Sequence, residues 1–510
     1  PKAAPASVQA PTPQATPAPR AESPFDLRLA GGKAELEALY RSLFHGNLAA
    51  WDKLLSLLED GFEARPADLK QLDERRAAEP RWYTRRDLLA MDVDPAAFAG
   101  CPDAMAERLD YLTECGVNFL HVSGCAREAL AALAQPCRVR DILLCVNLCA
   151  GYLAQPAADS FHSWVEKLLA RANSGADALC LGGLSHLSLD MVRLVRLICD
   201  LVCPGLLLMG QAPAAFFGSQ DKPLCHLLCR GEDDTLWHTL ATGDVALLRR
   251  ETDLTCGQPK EQVWLNRLRG ENGLGWALDY DWLHTHTGAS QDGHRQYLTQ
   301  FFTGQFPGSD SRAELCKEGR VCGTTASLCG VEAADYERND TKLAQAIARD
   351  QLIHAWLFTQ SGLPMLRSGD EIGQLNDYAF RQDSANGDDA RNLFRGPFPW
   401  DQAEARKNGD SRQARQFHGL RRLEQLRAAE PAFDLRADVW TFDTGNPHVL
   451  GLGRWYEGRK LVALFNFSGD FVTASSPEAG AFEELIYGGH YDELGHVELY
   501  PYGFVWLLQH

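Results

Sequence analysis

ILLCVN (142–147), DALCL (177–181) and LLLMG (206–210) are short apolar runs, each followed by an amphipathic stretch. A strand that is apolar at every position must be covered on both faces, so runs of this kind alternating with helical segments predict a parallel sheet wrapped by helices. The texture extends outward in both directions. It recurs in VNFLHV (117–122), VWLNRL (263–268) and LPMLR (363–367), and a first strand is expected near 87–91. Between these runs the spacing predicts helices over 161–172, 187–202, 235–249 and 342–360. The number of repeats favours a (β/α)8 TIM barrel over an open Rossmann sheet, and no G-x-G-x-x-G turn follows the first strand. The interval 304–340 is too long for a plain barrel loop and reads as an inserted excursion after the seventh strand.

The flanks have a different character. Over 33–78 the pattern is helical, with Leu36, Leu39, Tyr40, Leu43 and Phe44 on one face and Trp51, Leu54, Leu55 and Leu58 on the next. Beyond a helix expected at 411–429, VWTFDT, HVLGLGRWY, KLVALFNFS and YGFVWLLQ alternate with Gly and Asn turns, the pattern of an antiparallel β-sandwich. The expected organisation is therefore a Pro/Ala-rich disordered linker (1–24), a helical N-terminal module (25–80), a barrel (81–431) and a β-sandwich (432–510). A linker opening on Pro1 suits a tether to a protein partner or an upstream domain.

Composition narrows the function classes. The chain has 510 residues and a formal charge of -18, with 68 acidic against 50 basic side chains. Such a surface repels phosphate polymers and anionic lipid, so neither nucleic acid nor membrane is an expected partner. The most apolar stretch, 191–209, is broken by Arg193, Arg196, Asp200 and Pro204 and does not read as a bilayer span. Fifteen cysteines without any C-x-x-C, many inside apolar runs (Cys145, Cys180, Cys225, Cys229), read as buried small hydrophobes. Neither a metal nor a cofactor is expected. Free thiols in that number favour a reducing cytoplasm.

Several segments carry a more specific likeness: TLATGDVALLRRE (239–251), RVCGTTASLCG (320–330), SGLPMLRSGDEIGQLND (361–377), QDSANGDDAR (382–391) and FNFS (465–468). In order and spacing they resemble the amylosucrases, sucrose-using α-transglucosidases of glycoside hydrolase family 13 in the α-amylase superfamily. The resemblance covers about residues 35–510 and implies a barrel whose chemistry lies at the C-terminal strand ends. It also implies retention of anomeric configuration, which needs two carboxyl groups about 5 Å apart, one a nucleophile and one a proton donor.

Those positions are altered here. In GADALCLGG, Gly182 stands where the resemblance places the nucleophilic Asp, and Cys180 where it places an Arg. LLLMGQA puts Gln211 at the acid/base position, and an amide does not deliver a proton at neutral pH. In place of the His-Asp-Asp run that steadies the transition state, the chain reads Glu271, Asn272 and Gly273. DILLCVNL keeps Asp141 and Asn147 but has Leu148 at the His position. The long loop after the second strand and the lobe after the third are missing. Arg391 matches a pocket arginine that has lost its acidic partner.

The leading reading is a pseudoenzyme: a catalytically inactive barrel acting as scaffold, regulatory partner or weak glycan binder, with α-glucan or sucrose as the expected ligand. The competing reading is an active α-glucosidase or sucrose/α-glucan transglucosidase in which the displaced carboxylates Glu271 and Asp370 serve. His121, Asp141, Asn147 and Arg391 are the candidate vestigial binding residues. Asp370 with Glu371 reads first as loop scaffolding, and the acidic run Glu232, Asp233 and Asp234 as helix capping. Gly182 and Gly183 fit either close approach of a ligand or relaxed selection at a former active site, the latter being simpler.

Overall fold

The computed structural model describes residues 23–45, 48–124, 127–154, 157–211, 224–230, 234–382 and 387–510. The linker expected at 1–24 therefore lies almost wholly outside the described residues.

Three helices form the N-terminal module: α1 (Pro24–Phe44), α2 (Leu48–Glu63) and α3 (Ala67–Ala78). The sequence SPFD starts α1 as a capping box, Ser23 Oγ accepting from the Asp26 N–H at 3.2 Å and Asp26 Oδ2 from the Ser23 N–H at 2.8 Å. Pro24 occupies the first turn, where a missing N–H costs nothing. Leu36, Tyr40, Phe44, Trp51, Leu54 and Leu58 are buried and continuous with the core between barrel and helices.

Among the described residues eight parallel strands close into a barrel. They are β1 (Ala90–Val93), β2 (Phe119–Val122), β3 (Leu143–Cys149), β4 (Ala178–Gly182), β5 (Leu207–Gln211), β6 (Leu227–Cys229), β7 (Val263–Arg267) and β8 (Leu363–Arg367). The apolar runs are continuous because each strand serves two cores. Along β3, Leu143 and Cys145 enter the barrel interior with Ala178, Met209, Leu265 and Met365. Alternate residues Leu144, Val146 and Leu148 face the surrounding helices instead. Period-two alternation thus divides one apolar string between two buried surfaces.

Four details differ from the sequence reading. The first strand runs over Ala90–Val93 rather than 87–91. The stretch 235–249 is two helices, Asp234–Thr242 and Ala246–Cys256, because Gly243 takes a φ of 70° that ends the first. β6 is a strand that the apolar-run pattern did not register, being only three residues long. Finally, the excursion after β7 begins at once, with helices Tyr280–Thr287 and Gln291–Phe302 ahead of a small hairpin pairing Glu314–Leu315 with Val321–Cys322.

The C-terminal unit has strands β9 (Asp438–Phe442), β10 (Val449–Tyr456), β11 (Arg459–Asn466), β12 (Val472–Ser475), β13 (Phe482–Glu484), β14 (Gly489–Tyr491), β15 (His496–Leu499) and β16 (Phe504–Gln509). Six form an antiparallel sheet in the order β9-β10-β11-β16-β13-β14, faced by the β12-β15 pair across a core of Val462, Leu464, Phe482, Val497 and Leu507. Arg454, 1% exposed, crosses to the barrel side, donating to the carbonyls of Thr359, Ala432 and Asp434 at 2.7, 2.8 and 3.0 Å. No described helix is long and apolar enough to cross a membrane.

Candidate functional site at the barrel mouth

Inward-facing residues near the C-terminal end of a barrel strand project into the mouth, and β1, β2, β3, β7 and β8 each carry a polar one there. Asp92, His121, Asn147, Arg267 and Arg367 hold these places, with Asp92 paired in register to both His121 and Arg367. A hydrogen-bonded chain results. His121 Nδ1 lies 2.9 Å from Asp92 Oδ1, and its Nε2 lies 2.8 Å from Asn147 Oδ1. Arg367 Nη1 donates to the other Asp92 oxygen at 3.3 Å.

These contacts fix the charges. Burial works against ionising His121, but the bond and charge of Asp92, with the bond to Asn147, outweigh it and raise its pKa to about 9. Burial likewise works against ionising Asp92, yet His121, Arg367 and Arg267 pull it down to about 2. Asp92 is thus a locked carboxylate and His121 a locked imidazolium at neutral pH.

A second acid follows β8. Asp370, 6% exposed, accepts from Thr325 Oγ1 at 2.8 Å and from the Arg367 N–H at 3.0 Å, and lies 3.5 Å from Arg269 Nη2. Glu371 turns away from the mouth: its carboxyl accepts from the Tyr111 hydroxyl and from the Gly369 N–H, each at 2.8 Å, and burial pushes its pKa up to about 7. Both acids are thus bonded to loop backbone and to neighbouring side chains. The cleft bounded by Asp92, Arg267, Arg269, Glu271, Arg367 and Asp370 is about 10 Å³, room for about one water molecule.

Cys180 and Cys229 complete the inner ring. The Cys180 thiol hydrogen-bonds the Cys229 sulfur, and that bond, with the charges of Arg267 and His121, draws the Cys229 pKa down while Cys180 is pushed up. No described group of His, Cys, Asp and Glu is arranged to hold a metal ion. The cysteines at described positions are free thiols and most are buried.

The structure separates the other candidates. Gly182 is exposed at the end of β4 beside Cys149, and Gln211 ends β5. Glu271 and Asn272 are exposed just past β7, their carbonyls accepting from Arg395 at 2.6 Å and Arg320 at 3.1 Å. His121 and Asn147 meet in the mouth, but Asp141 does not join them. It precedes β3 at the opposite end of the barrel, exposed, with a φ of 54° and an ion pair to Arg85 at 2.8 Å. Six residues along an extended strand span about 20 Å, so Asp141 and Asn147 cannot share a mouth. Arg391 also stands apart, tied to Asp389 at 2.8 Å within its own turn. Of the acidic run, Glu232 and Asp233 lie outside the described residues, while Asp234 accepts from the Ala277 N–H at 2.7 Å.

Gly183 has a local explanation that neither sequence reading supplied. Its φ is 77°, and a Cβ there would fall 2.7 Å from Gly151 Cα, where the loops after β3 and β4 cross. Gly183→Ala is expected to cost about 1–3 kcal/mol from positive-φ strain and backbone displacement, measured as a lowered urea midpoint at unchanged slope. The sequence reading also passed over Asp92, Arg267, Arg269 and Arg367. For three of these a signal was present: each occupies the final inward phase of its strand in AMDV, VWLNR and LPMLR.

The closed barrel, the long excursion after β7 and the C-terminal sandwich together form an architecture shared with solved structures of an α-amylase and a trehalulose synthase. No family model matches the chain. Among solved structures it is similar to a variant of AmyP in complex with maltotriose, at 14% identity and a TM-score of 0.55, over 84% of this chain and 97% of that one. It is likewise similar to the trehalulose synthase MutB from Pseudomonas mesoacidophila (14% identity, TM-score 0.53, 83% of this chain and 99% of that one). A third is the cyclic α-maltosyl-(1→6)-maltose hydrolase from Arthrobacter globiformis (14%, TM-score 0.54, 83% and 99%). At such identities the likeness concerns the fold alone.

Proposed function

We propose that this chain is a catalytically inactive amylosucrase-like barrel that works by binding, as a scaffold or regulatory partner and as a weak α-glucan binder in a reducing cytoplasm. One observation carries the reading: of the three carboxylates lining the described mouth cleft, Asp92 and Asp370 are each neutralised by fixed cations, and Glu271 stands exposed at its rim. Retaining glycoside chemistry needs one carboxylate free to attack and a second group able to deliver a proton. Asp92, with a pKa of about 2, delivers none at neutral pH. Gly182 carries no functional group at the β4 position, where the amylosucrase likeness puts the nucleophile.

A glucan has a better-fitting surface elsewhere. A groove of about 450 Å³ between the C-terminal unit and the helix Asp340–Thr359 is lined by Tyr487, Tyr491, Tyr500 and Tyr502 together with Glu498 and Gln351. Tyr487 and Tyr500 are each 75% exposed. Aromatic faces pack against the apolar faces of pyranose rings, while carboxylate and amide groups take their hydroxyls. Maltotriose is bound by one of the similarly folded proteins, which supports the choice of ligand class.

The test incubates purified protein with sucrose or maltooligosaccharides and follows fructose and reducing-sugar release, with calorimetric titration of maltoheptaose alongside. The expected outcome is no turnover with saturable, weak glucan binding. Turnover that Glu271→Gln abolishes would establish the competing reading, an active α-glucosidase or sucrose/α-glucan transglucosidase using displaced carboxylates.

A further inference from the structure

A second cavity, about 370 Å³, opens outside the barrel mouth, walled by the helix Ala246–Cys256, β7 and the helix Asp340–Thr359. Three guanidinium groups line it, Arg230, Arg250 and Arg267, against two carboxylates, Glu251 and Asp279. Both carboxylates are engaged: Asp279 takes Arg250 at 2.8 Å, and Glu251 takes the Thr235 hydroxyl at 2.6 Å. Arg230 donates to Gln360 at 2.8 Å.

Arg267 is different. As the last residue of β7 it lies between the mouth cleft and this cavity, lining both. Its charge is felt by Asp92 and Cys229, yet among the described residues it makes neither a hydrogen bond nor an ion pair, and its Nε is buried without a partner. Other arginines in the core do not share this condition. Arg65 holds Asp73, Arg269 holds Thr325 and Asp370, and Arg427 holds the carbonyls of Leu88 and Gly362. A partly buried guanidinium that feels Asp92 only through space, with a buried N–H left unbonded, has hydrogen-bonding capacity to spare for an anion in the adjacent space.

The same wall carries two more unpaired polar atoms, an acceptor at Asn266 Oδ1 and a donor at Trp356 Nε1, on side chains each 1% exposed. A bare anion has nothing to offer the acceptor. A ligand bearing both an anionic group and hydroxyls answers all three groups after small side-chain shifts. We propose that this cavity binds a small hydroxylated anion of the sugar-phosphate or sugar-acid class, with Arg267 gripping the anionic group and Asn266 and Trp356 reading hydroxyls. A guanidinium matches carboxylate or phosphate oxygens two at a time, and the volume suits a ligand of this size.

The test is calorimetric titration of the full chain with glucose 6-phosphate, gluconate, neutral glucose and inorganic phosphate. Either hydroxylated anion should bind saturably, with glucose and phosphate each weaker by roughly tenfold or more. Whether glucose 6-phosphate or gluconate binds more tightly identifies the anionic group. Arg267→Gln should weaken binding by roughly 10- to 100-fold, the usual worth of hydrogen bonds to a charged group, with a cooperative melting curve confirming that the variant is folded. Trp356→Phe keeps the ring and removes one donor, and should weaken binding by about two- to tenfold. Three results would overturn the proposal: no binding of either hydroxylated anion at millimolar concentration, undiminished binding by a folded Arg267→Gln protein, or equal affinity for phosphate alone.

Discussion

Replacing Asp92 with alanine is expected to destabilise the protein by about 3–5 kcal/mol near pH 6, the usual cost of removing one partner from a buried ion pair. The effect is large because two cations lose their counter-charge together. His121, whose side chain is 6% exposed, and Arg367, at 17%, both lean on this carboxylate. The loss also carries a pH signature. In the native protein His121 titrates at about 9, above the ordinary 6.5. A pKa raised by folding contributes stability that is complete below 6.5 and is lost as pH rises through about 9, a contribution of about 3 kcal/mol. The lowered pKa of Asp92 reports the same pair from the other side, its contribution present above 3.8 and lost as pH falls through about 2. The two shifts describe one interaction and count once. Urea titrations of both proteins at pH 6 and pH 9.5 should show the difference shrinking at the higher pH, other titrating groups cancelling between them. A difference equally large at both values would mean that His121 is not held as an imidazolium.

His121 and Asn147 were recognisable from sequence because strand ends of a barrel can be located from apolar runs, and these two residues close VNFLHV and ILLCVN. Asp141 was misplaced for a reason that the sequence already contained. A motif match records identity and order, whereas the direction and rise of β3 put its two ends at opposite faces of the barrel. The partners of the mouth acids were less accessible. Asp92 meets Arg367 because the barrel closes between β1 and β8, a contact across 275 positions that no local pattern predicts. Gly183 shows the same limit at a smaller scale. Its requirement comes from Gly151, a residue on another loop, so the glycine could be seen but not its cause. The fold class was legible because it depends on repetition of a local pattern. The electrostatics of the site depend on pairings between distant strands.

The N-terminal module supplies the other large effect: Asp73→Ala should lower stability by about 3–5 kcal/mol and loosen the module from the barrel. Asp73 and Arg65 form a two-pronged pair with side chains 2% and 3% exposed, at 2.5 Å through Nε and 2.8 Å through Nη2. Both also reach beyond their own module. Arg65 Nη1 donates to the Ala172 carbonyl at 3.0 Å, at the end of the helix Ala158–Asn173, while Asp73 Oδ1 accepts the Gly205 N–H at 3.2 Å ahead of β5. Alanine at 73 leaves a guanidinium buried among carbonyls, so the cost is mainly that of a stranded charge. The double variant Arg65→Met with Asp73→Leu separates this cost from the worth of the pair itself. Replacing a buried pair by apolar groups of similar volume is often neutral or stabilising. It should recover most of the loss, with only the bonds to Ala172 and Gly205 forgone. Limited proteolysis gives an independent readout: Asp73→Ala should be cut faster within 23–78 than the parent, and the double variant at close to the parental rate. If Asp73→Ala costs less than about 1 kcal/mol, in the range of an exposed pair, then apolar packing of Leu36, Tyr40, Trp51 and Leu58 fixes the module and the ion pair contributes little.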